Sequence, residues 1–401
     1  MSPRRRVGLV AGPEAGHAFP AFALAERLAA VGHSPIVYTG LRWSHAAARR
    51  GIRVVDLPEL AADDSDDDSD AGAKLSVRAA RMALALAPVL VAHDVDVVVS
   101  DVITVAGGWA AELAGLGWVE CSPHPLYLQS RGLPPIGAGM ARGEGPLGRM
   151  RDAALRTSSA PARRRGARQR AAARRSIGLP PDAGPITRMV ATLPGLEEYR
   201  PDWPADTHLI GPLLWEPTDA TLPLPAGRAP LVMVAPSTAV TGAADLAAIA
   251  LAALSPGLLK MPVRVVISGL TTPSADEVAR SELPDVAAGF GRQDALVAAA
   301  DVVICGGGHG MLVKALGAGV PVVTVPGGGD QWELANRVQR RGAGRLVRPL
   351  DAESLATATR EVLADARFAA AARRLAASGA GVVDPVGVIE RAATRRPTPG
   401  T

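Results

Sequence analysis

The sequence predicts an α/β protein made of two similar parallel-sheet halves, and three observations lead there. Short, wholly apolar segments alternate with helix-patterned ones along most of the 401 residues. Several of the apolar segments run straight into glycine-rich turns. A proline-rich stretch at 208–228 breaks the alternation, which then restarts. Strands with no polar face need cover on both sides of their sheet, and helical crossovers between parallel strands supply it.

In the first half, residues 7–11 read as a strand. Residues 20–31 read as a helix with Leu24, Leu28 and Val31 on one face and Gly32 as its stop. Segments 36–39 and 54–57 are further strands, 75–92 an alanine-rich helix, 95–100 a fully apolar strand and 105–116 a helix. The middle is loop-rich around an arginine-rich helix, interrupted by Pro134-Pro135, the glycines of 137–145 and Pro180-Pro181. After the break, 231–235, 263–267, 302–305 and 320–325 are strands, with helices between them continuing to about residue 378. The expected domains are 1–210 and 230–401, joined by a linker at 211–229, with the last helix free to pack back on the first domain.

Composition narrows the class. Hydrophobic residues make up 48% and aromatics only 3%, so the cores must be built from Ala, Leu and Val. Three lysines stand against 40 arginines, a bias that suggests a GC-rich bacterial genome. Cys121 and Cys305 offer neither a disulfide framework nor metal-ligand spacing, which fits buried thiols in a reducing cytoplasm. The basic N-terminus has too short an apolar run for a signal peptide, and no run of 18 apolar residues marks a membrane span.

The net charge of +4 hides two extremes. Six acids occupy residues 63–70, read as a solvated loop, and ten arginines lie between Arg149 and Arg175. With no aromatics interleaved for base stacking, the arginine stretch reads as an exposed basic helix face and no nucleic-acid partner is expected. Peripheral membrane contact is its less favoured use. A monomer or a homodimer is expected.

The chemistry concentrates in residues 301–344. A buried strand at 302–305 runs into Gly306, Gly307, Gly308 and Gly310, so backbone N–H groups can approach a ligand closely. A helix beginning near Met311 aims its positive end into that turn, which suits a phosphate or diphosphate. A second strand, 320–325, leads through Gly327–Gly329 to Asp330 and Gln331, a carboxylate and an amide equipped to grip neighbouring sugar hydroxyls. An anion site beside a hydroxyl site describes a nucleotide-sugar pocket.

A candidate base lies in the first half. His17 follows the first strand and precedes the helix expected at Pro20, whose N-terminus disfavours an added positive charge and keeps the imidazole neutral near pH 7. Neutral imidazole can take a proton from a hydroxyl. Asp101 follows the strand at 95–100 and belongs at the same sheet edge, where a carboxylate can orient the far nitrogen of a base. Taken singly, His17 could be a turn residue bonded to backbone and Asp101 a helix N-cap. Phe19 and His124 are candidates for lining the same cleft.

The turn Gly307-Gly308-His309-Gly310, with Ala315-Leu316, Gly319-Val320-Pro321 and Asp330-Gln331 at their spacings, resembles the donor signature of family 1 glycosyltransferases, especially bacterial enzymes acting on macrolides and other natural products. The resemblance implies the GT-B layout, two Rossmann-like domains facing a cleft, with acceptor on the first and donor on the second. It also implies that His17, in Gly16-His17 and Pro20, is the catalytic base with Asp101 as its dyad partner. It assigns Ser237 and Thr238 to the diphosphate, Phe290 to stacking on the base and Gln293 to the ribose. Three positions depart from the family pattern: Gly306 stands for a histidine, Met311 for a threonine and Lys314 for a ribose-binding glutamate. Lys314 is then either solvent-facing or a new phosphate contact, with His309 replacing the missing histidine. The expected activity is inverting transfer from a UDP- or TDP-sugar to a hydroxyl of a small natural-product-like acceptor, with no cofactor or metal. The alternatives are a catalytically degenerate relative that binds nucleotide or activates a partner, and a nucleotide-sugar epimerase on the same fold.

Overall fold

A computed structural model describes residues 3–61, 70–181, 183–237, 245–284 and 286–395. Its first sheet carries β1 (Arg6–Val10), β2 (Ser34–Thr39), β3 (Arg53–Asp56), β4 (Val97–Asp101), β5 (Gly117–Ser122), β6 (Thr187–Val190) and β7 (Thr207–Leu209), all parallel, in the order β3-β2-β1-β4-β5-β6-β7. The second carries β8 (Leu231–Ala235), β9 (Arg264–Ser268), β10 (Val286–Gly289), β11 (Val302–Cys305), β12 (Val322–Thr324) and β13 (Gly344–Leu346), parallel in the order β10-β9-β8-β11-β12-β13. The helices of the first half are α1 (Ala15–Ala30), α2 (Ser44–Arg49), α3 (Ala71–Ala92), α4 (Ala106–Leu113) and α5 (Gly145–Ser176). Those of the second are α6 (Leu246–Ala253), α7 (Pro256–Leu259), α8 (Ala275–Ala279), α9 (Gln293–Ala299), α10 (His309–Gly317), α11 (Gln331–Arg340), α12 (Ala352–Ala364), α13 (Ala366–Ala377) and α14 (Pro385–Thr394).

Strand order matters more for function than strand number. In each sheet the winding reverses between two neighbours that are not consecutive in sequence: β1 and β4 in the first, β8 and β11 in the second. Open α/β sheets bind ligands in the crevice beyond the carboxyl ends of strands at such a reversal. The loops at these two points are the ones that follow Val10, Asp101, Ala235 and Cys305.

Several elements differ from expectation. α1 begins at Ala15 and contains Pro20, so His17 lies in its first turn. A proline there forfeits only the bond its N–H would make to the carbonyl of Gly16, and the rest of the ladder continues. α3 begins at Ala71, where Asp70 accepts the N–H groups of Gly72 and Ala73. The acidic run expected at 63–70 otherwise lies outside the described residues. Asp70 also meets Arg165 and Gln169 of α5. Residues 72–92 of α3 are long and apolar enough, by length and composition, to cross a membrane. In this fold that helix packs on α4 and α5 and gives Ala79, Met82, Ala83, Leu86 and Leu90 to the core. α5 is basic and mostly exposed, but Arg174 is buried against Glu112 at 2.5 Å.

Each sheet has apolar cover on both faces. The last helix crosses back from the second half: Val386, Val388, Ile389 and Ala392 of α14 join Val7, Leu9, Val97, Val99 and Val119 in the first core. Burying an aliphatic side chain of this size is worth about 1.5–3 kcal/mol, so three such side chains anchor the crossover.

Candidate active site

The residues at the first reversal meet. His17 Nδ1 lies 2.9 Å from Asp101 Oδ1, and since a carboxylate only accepts, the ring nitrogen donates. The other carboxylate oxygen, Oδ2, accepts from the N–H of Ile103 (3.1 Å), the N–H of Thr104 (3.0 Å) and the Thr104 hydroxyl (3.2 Å). Asp101 is buried and caps its own turn, not α4, whose cap position is Val105 and bears no side-chain bond. With Nδ1 committed, Nε2 is the nitrogen left to take a proton. An apolar recess lined by Leu9, Ala21, Leu24, Val99 and Cys121 backs onto His17.

The electrostatics correct one expectation. Burial pulls the His17 pKa down, but the Asp101 hydrogen bond and the charges of Asp101, Asp330 and Glu14 outweigh it and leave the pKa above its ordinary value. The helix N-terminus does not decide the balance; the neighbouring carboxylates do. His124 behaves in the opposite way. Its Nδ1 donates to the Pro125 carbonyl at 2.8 Å, its ring stacks on Tyr127 with centroids 4.3 Å apart, and burial holds its pKa below the ordinary value. Phe19 is part of an aromatic cluster, 4.8 Å from Trp43 and 5.2 Å from Trp215, and so supports α1 and the linker from the core side.

The second reversal is built from backbone. Gly307 has φ +80°, a conformation that L side chains rarely adopt. A Cβ on Gly306 would stand 3.2 Å from Ser237 Cβ, so a side chain there would require Ser237 to give way by a few tenths of an ångström. Space around Gly308 and Gly310 is open. The first intrahelical bond of α10 is the one from Leu312 N–H to the Gly308 carbonyl, which leaves the N–H groups of His309, Gly310 and Met311 without partners inside the helix. Ser237 stands beside this turn, and Thr238 lies outside the described residues. Phe290, just beyond β10, is an exposed large hydrophobic residue and not a core one.

Several polar side chains expected on the donor are engaged elsewhere. His309 Nε2 bonds Thr192 Oγ1 of the first half at 2.9 Å. Burial, with His124 and Arg337 acting the same way, pushes the His309 pKa down to about 3, so this ring is uncharged at neutral pH and cannot balance a phosphate. Gln331 is buried, accepts from Gly327 N–H at 2.9 Å and reaches Ser237 Oγ at 3.4 Å, so it ties its own glycine loop to the loop after β8. Met311 packs on the second core. Lys314 neither faces bulk solvent nor stands free for a phosphate. Its ammonium lies 2.5 Å from Glu216 Oε1 and 3.3 Å from Gln293 Oε1.

Asp330 reaches across the cleft. Its Oδ2 accepts from the Tyr127 hydroxyl at 3.1 Å, and its side chain makes no bond capping α11. Farther along α11, buried Arg337 bonds Glu333 at 3.0 Å and the Leu196 carbonyl at 3.2 Å, and it pairs with Glu197 at 3.4 Å. Glu333 also accepts from Gly139 N–H at 2.8 Å. A buried charge network of this kind is tolerated because its members satisfy one another. Tyr127, Glu197 and Glu216 carried no sequence signal beyond their residue types.

The comparisons with known proteins agree with this fold. Residues 267–394 match the family model described as "Erythromycin biosynthesis protein CIII-like, C-terminal domain". Over 96% of this chain and 99% of its own length, the 4'-demethylrebeccamycin synthase of Lentzea aerocolonigenes is 27% identical. Among solved structures, the glycotransferase of kitacinnamycin superposes with a TM-score of 0.71 at 21% identity, covering 97% of this chain and 99% of that one. Glycosyltransferase VinC in complex with DTDP does so with a TM-score of 0.69 at 21% identity, with 97% and 99% covered. Two parallel-sheet domains with facing reversals thus define the class by its fold: the chain has the GT-B layout that these solved glycosyltransferases share. Within that layout, residues 267–394 are similar to the erythromycin CIII-like C-terminal domain.

Proposed function

We propose that the chain transfers a sugar, with inversion, from a thymidine- or uridine-diphosphate sugar to a hydroxyl of a small natural-product-like acceptor in the cytoplasm. His17 Nε2 takes the proton of the acceptor hydroxyl as its oxygen attacks the anomeric carbon. The bond from that carbon to the diphosphate oxygen breaks, and the nucleoside diphosphate leaves with the electron pair. Asp101 holds the ring and stabilises the imidazolium that forms. The N–H groups at the start of α10, which have no partners inside the helix, stand where they can meet charge building on the leaving group. Asp330 is the side chain that meets sugar hydroxyls, and Gln293 faces the nucleoside. A thymidine donor is favoured by the solved relatives that bind thymidine diphosphate.

The observation that carries this reading is the 2.9 Å His17–Asp101 contact, with Asp101's second oxygen already satisfied, at the reversal of the first sheet. The test is a panel of TDP- and UDP-sugars with phenolic, macrolide and lipid acceptors, following nucleotide release and the anomeric configuration of the product. Acceptor-dependent release with inverted product is expected. Nucleotide binding without release for any pair would favour a non-catalytic relative, and retained configuration would remove the direct displacement.

A further inference from the structure

The one family departure that reverses a charge has a partner outside the motif. Lys314 is on α10, and Glu216 is in the linker between the domains. Both side chains are nearly buried, 11% and 10% exposed, so the pair is shielded from the screening that weakens surface ion pairs. The linker is held to the first half on both sides of Glu216. Trp215 Nε1 donates to Glu26 at 2.9 Å, and Arg49 and Arg50 bond Pro217 and Asp219. Glu216 turns the other way. Its oxygens accept the backbone N–H groups of Gln293 and Asp294, each at 3.1 Å, at the start of α9. The same carboxylate accepts from Lys314, which also donates to Gln293 Oε1, while Gln293 Nε2 donates to the Ser268 carbonyl at 3.1 Å. Both ends of the Gln293 amide are therefore assigned, and the oxygen end is assigned by Lys314.

We infer that Glu216 and Lys314 are a positioning pair for the nucleoside half of the donor: the linker carboxylate locks the lysine, and the lysine fixes which face of Gln293 meets the ligand. The inference rests on the proposed placing of Gln293 in the donor pocket. The polarity of the pair is set by α9, because two backbone N–H groups demand an acceptor at position 216 and repel a cation there. A glutamate at 314 would face Glu216 as a like charge, so restoring the family residue alone should do harm.

The test uses the full chain, with TDP and UDP as probes and inorganic pyrophosphate as a competitor that lacks the nucleoside. Lys314→Glu should weaken the preferred nucleotide on the order of tenfold, as expected for a lost hydrogen bond to a charged group. Adding Glu216→Gln should recover most of it, because the amide oxygen still accepts from α9 and its N–H₂ can donate to the new carboxylate. The simple exchange, E216K with K314E, should not recover it. Pyrophosphate should compete equally well with every variant. Should Lys314→Glu fold poorly, Lys314→Met decides, with a several-fold nucleotide loss and unchanged pyrophosphate competition expected. Wild-type affinity in either lysine variant, no recovery with Glu216→Gln, recovery by the simple exchange, or a parallel loss of pyrophosphate would each overturn the inference while the proposed function stood. A wild-type chain that binds neither nucleotide would overturn both.

Discussion

The two sheet reversals face the same cleft but are made from different materials. At β1/β4 the proposed working groups are side chains, His17 and Asp101, brought to 2.9 Å at the ends of two neighbouring strands and the start of α1. At β8/β11 they are backbone N–H groups presented by Gly306–Gly308 and α10, while nearby side chains turn to one another or to the opposite domain. Proton transfer needs a titratable group at a defined atom. Holding a diphosphate needs several donors in a cradle with no Cβ in the way. On the proposed reading, a single fold meets both needs by filling one reversal with side chains and clearing the other.

The comparison can be broken most severely at the first reversal. His17→Ala should lower transfer by roughly 10²–10⁴-fold, the usual contribution of a general base, and leave TDP affinity close to wild type by calorimetry. Equal losses of transfer and of nucleotide affinity would mean that His17 is structural. The matching change at the second reversal is Gly307→Ala. It places a Cβ at φ +80°, which costs about 1–2 kcal/mol, so nucleotide affinity should fall several-fold while a pH–rate profile keeps its shape.

A smaller effect is expected where the segments after β5 and β12 touch. Tyr127→Phe removes the hydroxyl that Asp330 accepts, a loss of about 1 kcal/mol for one hydrogen bond. The intact nucleotide sugar should then bind roughly fivefold more weakly, with the bare nucleoside diphosphate unchanged. If both ligands weaken together, Tyr127 joins the domains and does not aim Asp330. Asp330→Ala should show the same split more strongly.

The gentlest probe is pH. The His17 pKa lies above its ordinary value, so transfer should rise with pH as the ring loses its proton, with a midpoint above 6.5. Asp101→Asn should shift that midpoint downward, since the charge that raises it is gone. Stability moves the other way. The contribution of His17 is complete below its unfolded-state pKa and is lost as pH rises through the folded-state value. A rate that is flat from pH 6 to 9 would remove His17 as the base.

How much of this could be read in the sequence depended on whether a feature is local. The strands at 231–235 and 302–305 declared themselves because every residue is apolar, as a strand covered on both faces requires. β6, β7, β10 and β13 hold three or four residues each, and segments such as Val-Ala-Ala-Gly or Gly-Arg-Leu give no period to count. His17 and Asp101 were legible because one lies at the start of the helix after a readable strand and the other ends a readable strand. Tyr127, Glu216 and the partner of Lys314 were not, because their contacts depend on how two domains and a linker dock. His309 was misread for the same reason: its position at the start of α10 was near enough, but Thr192, across the cleft, sets its direction.

The return of α14 to the first core governs the order in which the molecule can be completed during synthesis. The strands of the first sheet leave the ribosome first, yet the trench that takes Val386, Ile389 and Ala392 stays open until almost the whole second domain has emerged. A chain cut after the linker would carry that apolar trench uncovered, as a sticky surface in place of a finished domain. The first half is therefore made before the second and sealed only after it.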